Sequence, residues 1–514
     1  MVAAGILLSR IVGLVRNRVF AHYFGTSDAA DAFNAAFRIP NFLQNLFGEG
    51  VLSASFIPVY AGLRARGEEA EARRVAAAVA ALLGLVTSAL VLVGVLFTPW
   101  MIAVIAPGFE GAKREVTIRL VRILFPGAGL LVLSAWCLGV LNSHRRFFLS
   151  YSAPVLWNLV IIGALVGLGR GVPQYGLAEI AAWGSVVGSL LQLGIQLPTV
   201  MRLLQGTLPR LVRGSESVAT VLRNFGPVFV GRGVVQISAY VDTVLASLLP
   251  TGAVAGLSYA QVLYTLPVSL FGMSVSAAEL PTMSSATGDA ATRAEFLRGR
   301  LGAGLRQIAF FVVPSAMGFL VLGDVIAGAL YQSGEFTRQM TLYVWGILAG
   351  SAVGLLASTM GRLYASTYYA LHDTRTPLRF AVLRVALTIV LGYLFALPLP
   401  RALGIDQRWG AAGLTASAGI AGWIEFFLLR RTLNQRIGHT GLAVGLTSRL
   451  WGSAALAALA AWGLHRVLPL AHPVGAAVLV LGVYGAVYFF MTDRLGVEEA
   501  RFVIRRFGRS SSSR

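Results

Sequence analysis

The sequence predicts an all-α, polytopic membrane protein, and three observations carry that prediction. The chain is 56% hydrophobic and 12% charged, with a mean hydropathy of +0.73, whereas a soluble chain carries about a quarter charged residues. Apolar runs of about 20 residues, enough to cross a bilayer, recur from one end to the other. These runs are continuous rather than alternating, which excludes barrel strands.

Fourteen stretches qualify as transmembrane helices: 2–24, 29–61, 76–99, 117–142, 150–169, 176–202, 222–249, 253–284, 302–325, 339–370, 378–398, 409–432, 445–467 and 473–492. Loop charge sets their expected orientation. One set of alternate connections holds Arg64, Arg66, Arg73 and Arg74, then Arg145 and Arg146, Arg202 and Arg210, Arg293 and Arg298, Arg375 and Arg379, and Arg430 and Arg431. The opposite connections hold few cations, among them Lys113, Arg114, Arg170 and Arg338. The bias places both termini in the cytoplasm. The run RARGEEAEARR (64–74) then reads as a cytoplasmic helical hairpin, and the SSSSR tail as disordered. Arg10 and Arg16 interrupt the apolar N-terminus, and no small-residue cleavage site follows, so no cleaved signal peptide is expected.

The net charge of +20 would point to nucleic acid in a soluble protein. Here the arginines sit between apolar runs, where the positive-inside rule and anionic lipid account for them. The single Cys137 forms neither an internal disulfide nor a cysteine-based metal site.

A weak repeat organises the chain. Leu46-Phe47-Gly48 is followed by Pro58, and Leu270-Phe271-Gly272 by Pro281. The loops 141–148 and 371–380 also match in character, which gives an offset of about 224–230 residues. Spans one to six thus pair with spans seven to twelve as a parallel repeat about an axis normal to the membrane. The expected division is a lobe over 1–205, a second over 206–435, two further spans within 436–495, and a cytoplasmic tail over 496–514. Proline and glycine interrupt the polar helices: Pro40, Gly48, Gly50 and Pro58 in span two, Gly226, Pro227, Gly231 and Gly233 in span seven, Pro267 and Gly272 in span eight. Bends are expected at these positions.

The stretch from Ser9 to Pro58 carries the chemistry. It holds Arg10, Arg16, Arg18, Asp31, Arg38 and Glu49 in apolar surroundings. A charge at mid-bilayer costs roughly 2.5–3.5 kcal/mol even on lenient insertion scales, so these helices are expected to face a water-filled cavity. Arg10 and Arg16 stand about 9 Å apart along a helix. At that spacing two guanidinium forks suit an extended anion such as a diphosphate. Asp31 and Glu49 would orient the arginines or accept hydrogen bonds from a sugar. Arg18 and Arg38 have a plainer reading as side chains that snorkel to an interface. Asn41, Gln44 and Gln261 either line the cavity or bridge helices. Asp242 and Arg384 would form an internal pair. No HExxH, CxxC, GxSxG or GxxxxGK[ST] occurs, so no enzymatic set is legible.

At this point the residues resemble a known family. The run SRIVGLVR…DAADAFNAAFRIPNFLQNLFGEG…FIPVY is similar to the MurJ (MviN) lipid II flippases, within the multidrug/oligosaccharidyl-lipid/polysaccharide exporter superfamily. So are APGF (106–109), LNSHRRF (141–147), GRGVVQISAYVDTVLAS (231–247), SGEFT (333–337) and DTRTP (373–377). The resemblance covers essentially the whole chain. It implies fourteen helices, two lobes around a cationic cavity, and movement of the undecaprenyl-diphosphate-linked peptidoglycan precursor to the outer leaflet of the bacterial cytoplasmic membrane. It implies substrate roles for Arg10, Arg16, Asp31 and Glu49, and a lipid-tail groove at spans thirteen and fourteen. Two departures stand out: Gln44 and Val262 occupy positions where the family commonly has arginine. The family's sodium site would need acidic and amide groups where Thr388 and Gly392 stand, so only Asp242 remains, with Arg384 in the cation's place. The expected protein is a monomer with no cofactor, coupling to an ion being left open, and its partners are lipid II or a related polyprenyl-diphosphate glycolipid and membrane lipids rather than nucleic acid. The alternatives are a flippase for another polyprenyl-linked glycan, a drug or cation antiporter, and a non-transporting scaffold of the cell-wall machinery. The antiporter would favour an acidic cavity.

Overall fold

The computed structural model describes residues 2–211, 215–467 and 472–501, without the side chains of 2–4, 6, 49–50 and 227–239. The tail from 502 onward, expected to be disordered, lies outside the described residues. The described chain is helical throughout, with no strand. It divides into two compact units, 1–255 with 333–336, and 256–332 with 337–514.

The first unit holds α1 (Val2–Phe24), α2 (Asp28–Phe47), α3 (Glu49–Ser55), α4 (Ile57–Ala65), α5 (Glu69–Leu96), α6 (Thr98–Ile105), α7 (Gly111–Ser143), α8 (Phe147–Leu168), α9 (Gln174–Leu203) and α10 (Glu216–Ser247). Its centre is α7, packed against α2, α5 and α9, while α8 joins α1 to α9. Ser27 caps α2 by accepting a hydrogen bond from the Ala30 amide at 3.2 Å. The expected break of span two falls at Gly48 and again at Phe56, whereas Pro40 stays inside α2. The 64–74 segment is the expected hairpin: α4 ends at Ala65, Gly67 turns the chain with φ +79°, and α5 begins at Glu69. α10 is continuous through Gly226 to Gly233 and packs on α2, α3 and α5. The first unit therefore includes a helix that the sequence repeat assigns to the second half.

The second unit holds most of α11 (Ala253–Pro267), then α12 (Ser274–Ser284), α13 (Ala290–Val321), α14 (Gly323–Tyr331), α15 (Arg338–Ala370), α16 (Arg375–Ala396), α17 (Pro398–Ala402), α18 (Gly410–Ile437), α19 (Val444–Val467) and α20 (Pro473–Arg494). Between α11 and α12 the backbone widens into a π turn, Val268–Met273, directly after Pro267, where a break was expected. α15 and α18 approach so closely at Gly354 and Gly419 that a Cβ on Gly354 would lie 2.4 Å from the Gly419 Cα. Small residues are what allow helices to touch in a membrane. α19 and α20 pair with each other and dock on α13 and α14. The dock uses a proline. Pro314 supplies no N–H, so the Phe310 carbonyl one turn earlier lacks its helical donor. Tyr488 of α20 donates to that carbonyl at 2.6 Å, and Tyr484 donates to the Pro314 carbonyl at 2.7 Å.

Each of the fourteen expected stretches falls on a helix or a run of consecutive helices. Among the described residues, twelve are long and apolar enough to cross a membrane. The other two are α1, which carries Arg10, Arg16 and Arg18, and α10. The two loops that the sequence repeat pairs share a backbone geometry. Arg145 after α7 and His372 after α15 both adopt φ 58°, 227 residues apart. In each loop the following residue closes the same turn: Arg146 N–H to the Leu141 carbonyl, and Asp373 N–H to the Tyr368 carbonyl, both at 2.9 Å.

Candidate cationic site in the first unit

α1 presents its arginines at graded depth. Arg10 is exposed, and Arg16 and Arg18 are half-buried. Arg16 donates to the neighbouring Asn17 Oδ1 at 2.9 Å, and its guanidinium lies 5.0 Å from the centre of the Trp157 ring. Trp157 is itself fixed. Its Nε1 donates to the Ser185 carbonyl at 3.1 Å, and Phe37 stacks on its ring at 5.9 Å. α8, α9 and α2 thus combine to orient one guanidinium through an aromatic face. A cation–π contact steadies the charge without neutralising it.

Arg38 on α2 is tied to α10. It donates to the Thr243 hydroxyl, and Tyr240 donates to the Arg38 carbonyl at 2.8 Å. Asp242 lies close enough to act on Arg38 electrostatically. The sequence reading set Asp242 against Arg384. The structure gives each an electrostatic partner inside its own unit. Arg384 on α16 meets Glu425 of α18 at 3.2 Å, a partner the sequence reading did not weigh.

Asp31 departs from its expected role as a substrate ligand. It is 1% exposed. Lys113 donates to its Oδ2 at 2.7 Å, as does the Gly252 amide at 2.8 Å, and the Ala255 amide donates to Oδ1 at 2.8 Å. Lys113 also meets Asp28 at 2.9 Å and lies over the Phe109 ring at 4.4 Å. One carboxylate therefore joins α2, the start of α7 and the turn that opens α11. The turn is shaped for this contact. Gly252 has φ +93°, and a Cβ there would lie 2.7 Å from the Thr26 carbonyl oxygen. A buried carboxylate stands only when its lone pairs are satisfied, so Asp31 positions helices.

The remaining expected residues spread more widely. Asn41 and Gln44 are half-buried on α2. The Glu49 side chain lies outside the described residues. Gln261 is exposed on α11 in the second unit, with Nε2 3.2 Å from the Thr265 hydroxyl. The sequence reading missed Trp157, Thr243 and Glu425, and placed Lys113 in a loop. Lys113 was visible as a cation just before span four, and the structure extends that helix back to Gly111, but its partner was not legible.

Residues 20–481 match the family described as lipid II flippase MurJ. The chain belongs to that family. A protein of Rhizobium meliloti (strain 1021) named probable lipid II flippase MurJ is 30% identical, covering 100% of this chain and 96% of that one. A lipid II flippase MurJ of Burkholderia cenocepacia is 31% identical over 84% of this chain and 82% of its own. Among solved structures, a lipid II flippase MurJ in an inward closed conformation superposes with a TM-score of 0.77 at 24% identity, over 96% of this chain and 98% of that one. An inward-facing multidrug resistance MATE transporter of the MOP superfamily follows with a TM-score of 0.68 at 16% identity, over 83% and 95%. The last two likenesses concern the fold. MurJ family membership and the Arg16 environment together define what the site has to explain.

Proposed function

We propose that this protein flips lipid II from the inner to the outer leaflet of the bacterial cytoplasmic membrane, as a multi-pass monomer with both termini cytoplasmic. Family membership across residues 20–481 carries the reading. Arg10 and Arg16 attract the diphosphate, and the polyprenyl tail stays in lipid beside α19 and α20. Two six-helix lobes, 1–205 and 206–435, rock about the substrate in alternating access. Transferring a diphosphate into an apolar interior without cationic partners is prohibitive, so the arginines are the requirement. Arg16 suits the task because its described partners are an amide and an aromatic ring, which leave its charge available. Asp31 acts by holding the helices together rather than by touching substrate. The protein needs no cofactor and no enzymatic residue. A sodium site of the family's kind does not fit this chain, since Thr388 and Gly392 offer no carboxylate.

The test is complementation of a strain depleted of its lipid II flippase. Wild type should rescue growth, and Arg10→Ala and Arg16→Ala should fail while reaching normal levels in the membrane. Rescue by both variants would defeat the proposal. A second reading, a flippase for another polyprenyl-linked glycan, is favoured by Gln44 and Val262 at positions where the family commonly has arginine. It predicts that well-expressed wild type fails to rescue.

A further inference from the structure

The outer face of the first unit carries a groove that the transport reading leaves unused. It is a cavity of about 430 Å³ between α5 and α7, lined among others by Gly84, Ser88, Val91, Leu92, Gly129 and Leu133. Ser88 and Leu92 are exposed, so the groove opens away from the unit's core. Both helices are membrane spans by length and composition, and the groove is therefore set in hydrocarbon. Its lining on α5 extends from Gly84 to Val95, about 16 Å at the helical rise. That is half the thickness of a bilayer's apolar layer of about 30 Å, the depth of one leaflet.

The close contacts fix the register of the two helices. The Cβ position of Gly129 lies 3.2 Å from Val91 and 3.4 Å from Thr87, and that of Gly94 lies 2.3 Å from the Phe125 ring. The helices run antiparallel, so Arg122, one turn before Pro126, sits level with the end of α5 near Phe97. Arg122, Pro126, Gly129, Leu130 and Leu133 follow helical spacing and share one face of α7. Phe97, at that level, and Trp100, three residues further on, are 58% and 68% exposed, as aromatic residues are at a membrane–water interface. Arg119, the neighbouring cation on α7, pairs with Glu179 at 2.7 Å. Arg122 is exposed and has no such carboxylate among the described residues. Pro126 also removes the helical donor to the Arg122 carbonyl.

We propose that this face binds an anionic phospholipid, with one acyl chain lying in the α5–α7 groove and the phosphate against Arg122. The leaflet is the outer one on the orientation given above. Length, depth and charge agree: an apolar slot one leaflet deep ends at an aromatic rim and a free cation. The site does not depend on what the protein transports.

The experiment uses the full chain in phosphatidylcholine nanodiscs doped with phosphatidylglycerol that carries a diazirine midway along one acyl chain. After illumination, labelled peptides are mapped by mass spectrometry. Wild type should be labelled on 84–95 and 126–133. Arg122→Gln, which removes the charge at an exposed position, should lower that labelling about tenfold, the worth of one charge-assisted contact. Ser88→Phe, which fills the groove from its open side, should do the same. Label on other spans should stay constant in both variants. Equal labelling of 84–95 and 126–133 in wild type and both variants would overturn the site. Equal labelling from a diazirine phosphatidylcholine would overturn the anionic assignment.

Discussion

Arg16 in the first unit and Arg384 in the second show two ways of keeping a guanidinium inside a membrane protein. Arg384 meets Glu425 at 3.2 Å, and elsewhere in the same unit Glu279 receives two bonds from Arg300, at 2.9 and 2.8 Å. Such pairs carry no net charge to offer. Arg16 instead meets an amide oxygen and the face of Trp157, with the ring locked by Ser185. Its charge is oriented but not cancelled. The comparison teaches that the number of arginines in a span says little about function; the sign of what faces each one decides. Asp31 makes the same point from the acidic side. Its charge is matched by Lys113 and two backbone amides, so it belongs with the structural pairs although it lies on the helix that follows α1.

The largest expected effect on stability comes from breaking the first unit's own internal pair. Lys113→Met leaves the Asp31 carboxylate buried with only backbone donors. The loss should be about 3–5 kcal/mol, read as a lower midpoint in thermal unfolding in detergent. Adding Asp31→Asn should recover part of it. A Lys113→Met protein as stable as wild type would return Asp31 to the substrate and break the comparison. Tyr488→Phe should cost less, about 1–3 kcal/mol, because it strips the donor from the carbonyl that Pro314 orphans. Hydrogen exchange should then rise in α20 while α2 and α7 are unchanged.

The smallest effect concerns the matched loops after α7 and α15. Their backbones agree, yet their chemistry differs. Asp373 accepts from the amides of Arg375 and Thr376, both at 3.0 Å, and meets Arg436 at 2.8 Å. The Thr376 hydroxyl, the Thr376 amide and Arg436 together hold its carboxyl down at about 2. A depressed carboxyl stabilises the fold above its ordinary pKa of about 4, and the contribution fades as pH falls toward 2. Asp373→Ala should cost about 1 kcal/mol near neutrality, and the difference from wild type should shrink in acid. A difference that grows in acid would contradict this role.

Much of the fold was legible because membrane helices announce themselves by length and apolarity. All fourteen stretches land on helices, and the break after Pro267 is where the sequence put it. The likeness of the two loops was legible as well, since LNSHRRFF and LHDTRTPLRF close the same backbone turn. What escaped were the partners of charges. Arg16 was singled out by its place in an apolar run, but Trp157 lies more than a hundred residues away on α8, and nothing local marks it. Asp31 was read as a ligand because spacing cannot reveal that Lys113 and the turn at Gly252 reach it. Arg384 was matched with the wrong helix for the same reason, since Glu425 lies on α18. At Pro227 the helix α10 runs on unbroken, packed on α2, α3 and α5.

The most direct measurement is the affinity of the purified protein for lipid II in three forms: wild type, Arg16→Ala, and the doubly neutral Arg384→Gln/Glu425→Gln. A charge left available for an anion predicts that Arg16→Ala loses about tenfold or more, in line with one charge-assisted contact. The double variant, which removes a pair already neutral, should bind like wild type. Equal binding by Arg16→Ala, or loss in the double variant alone, would contradict the account.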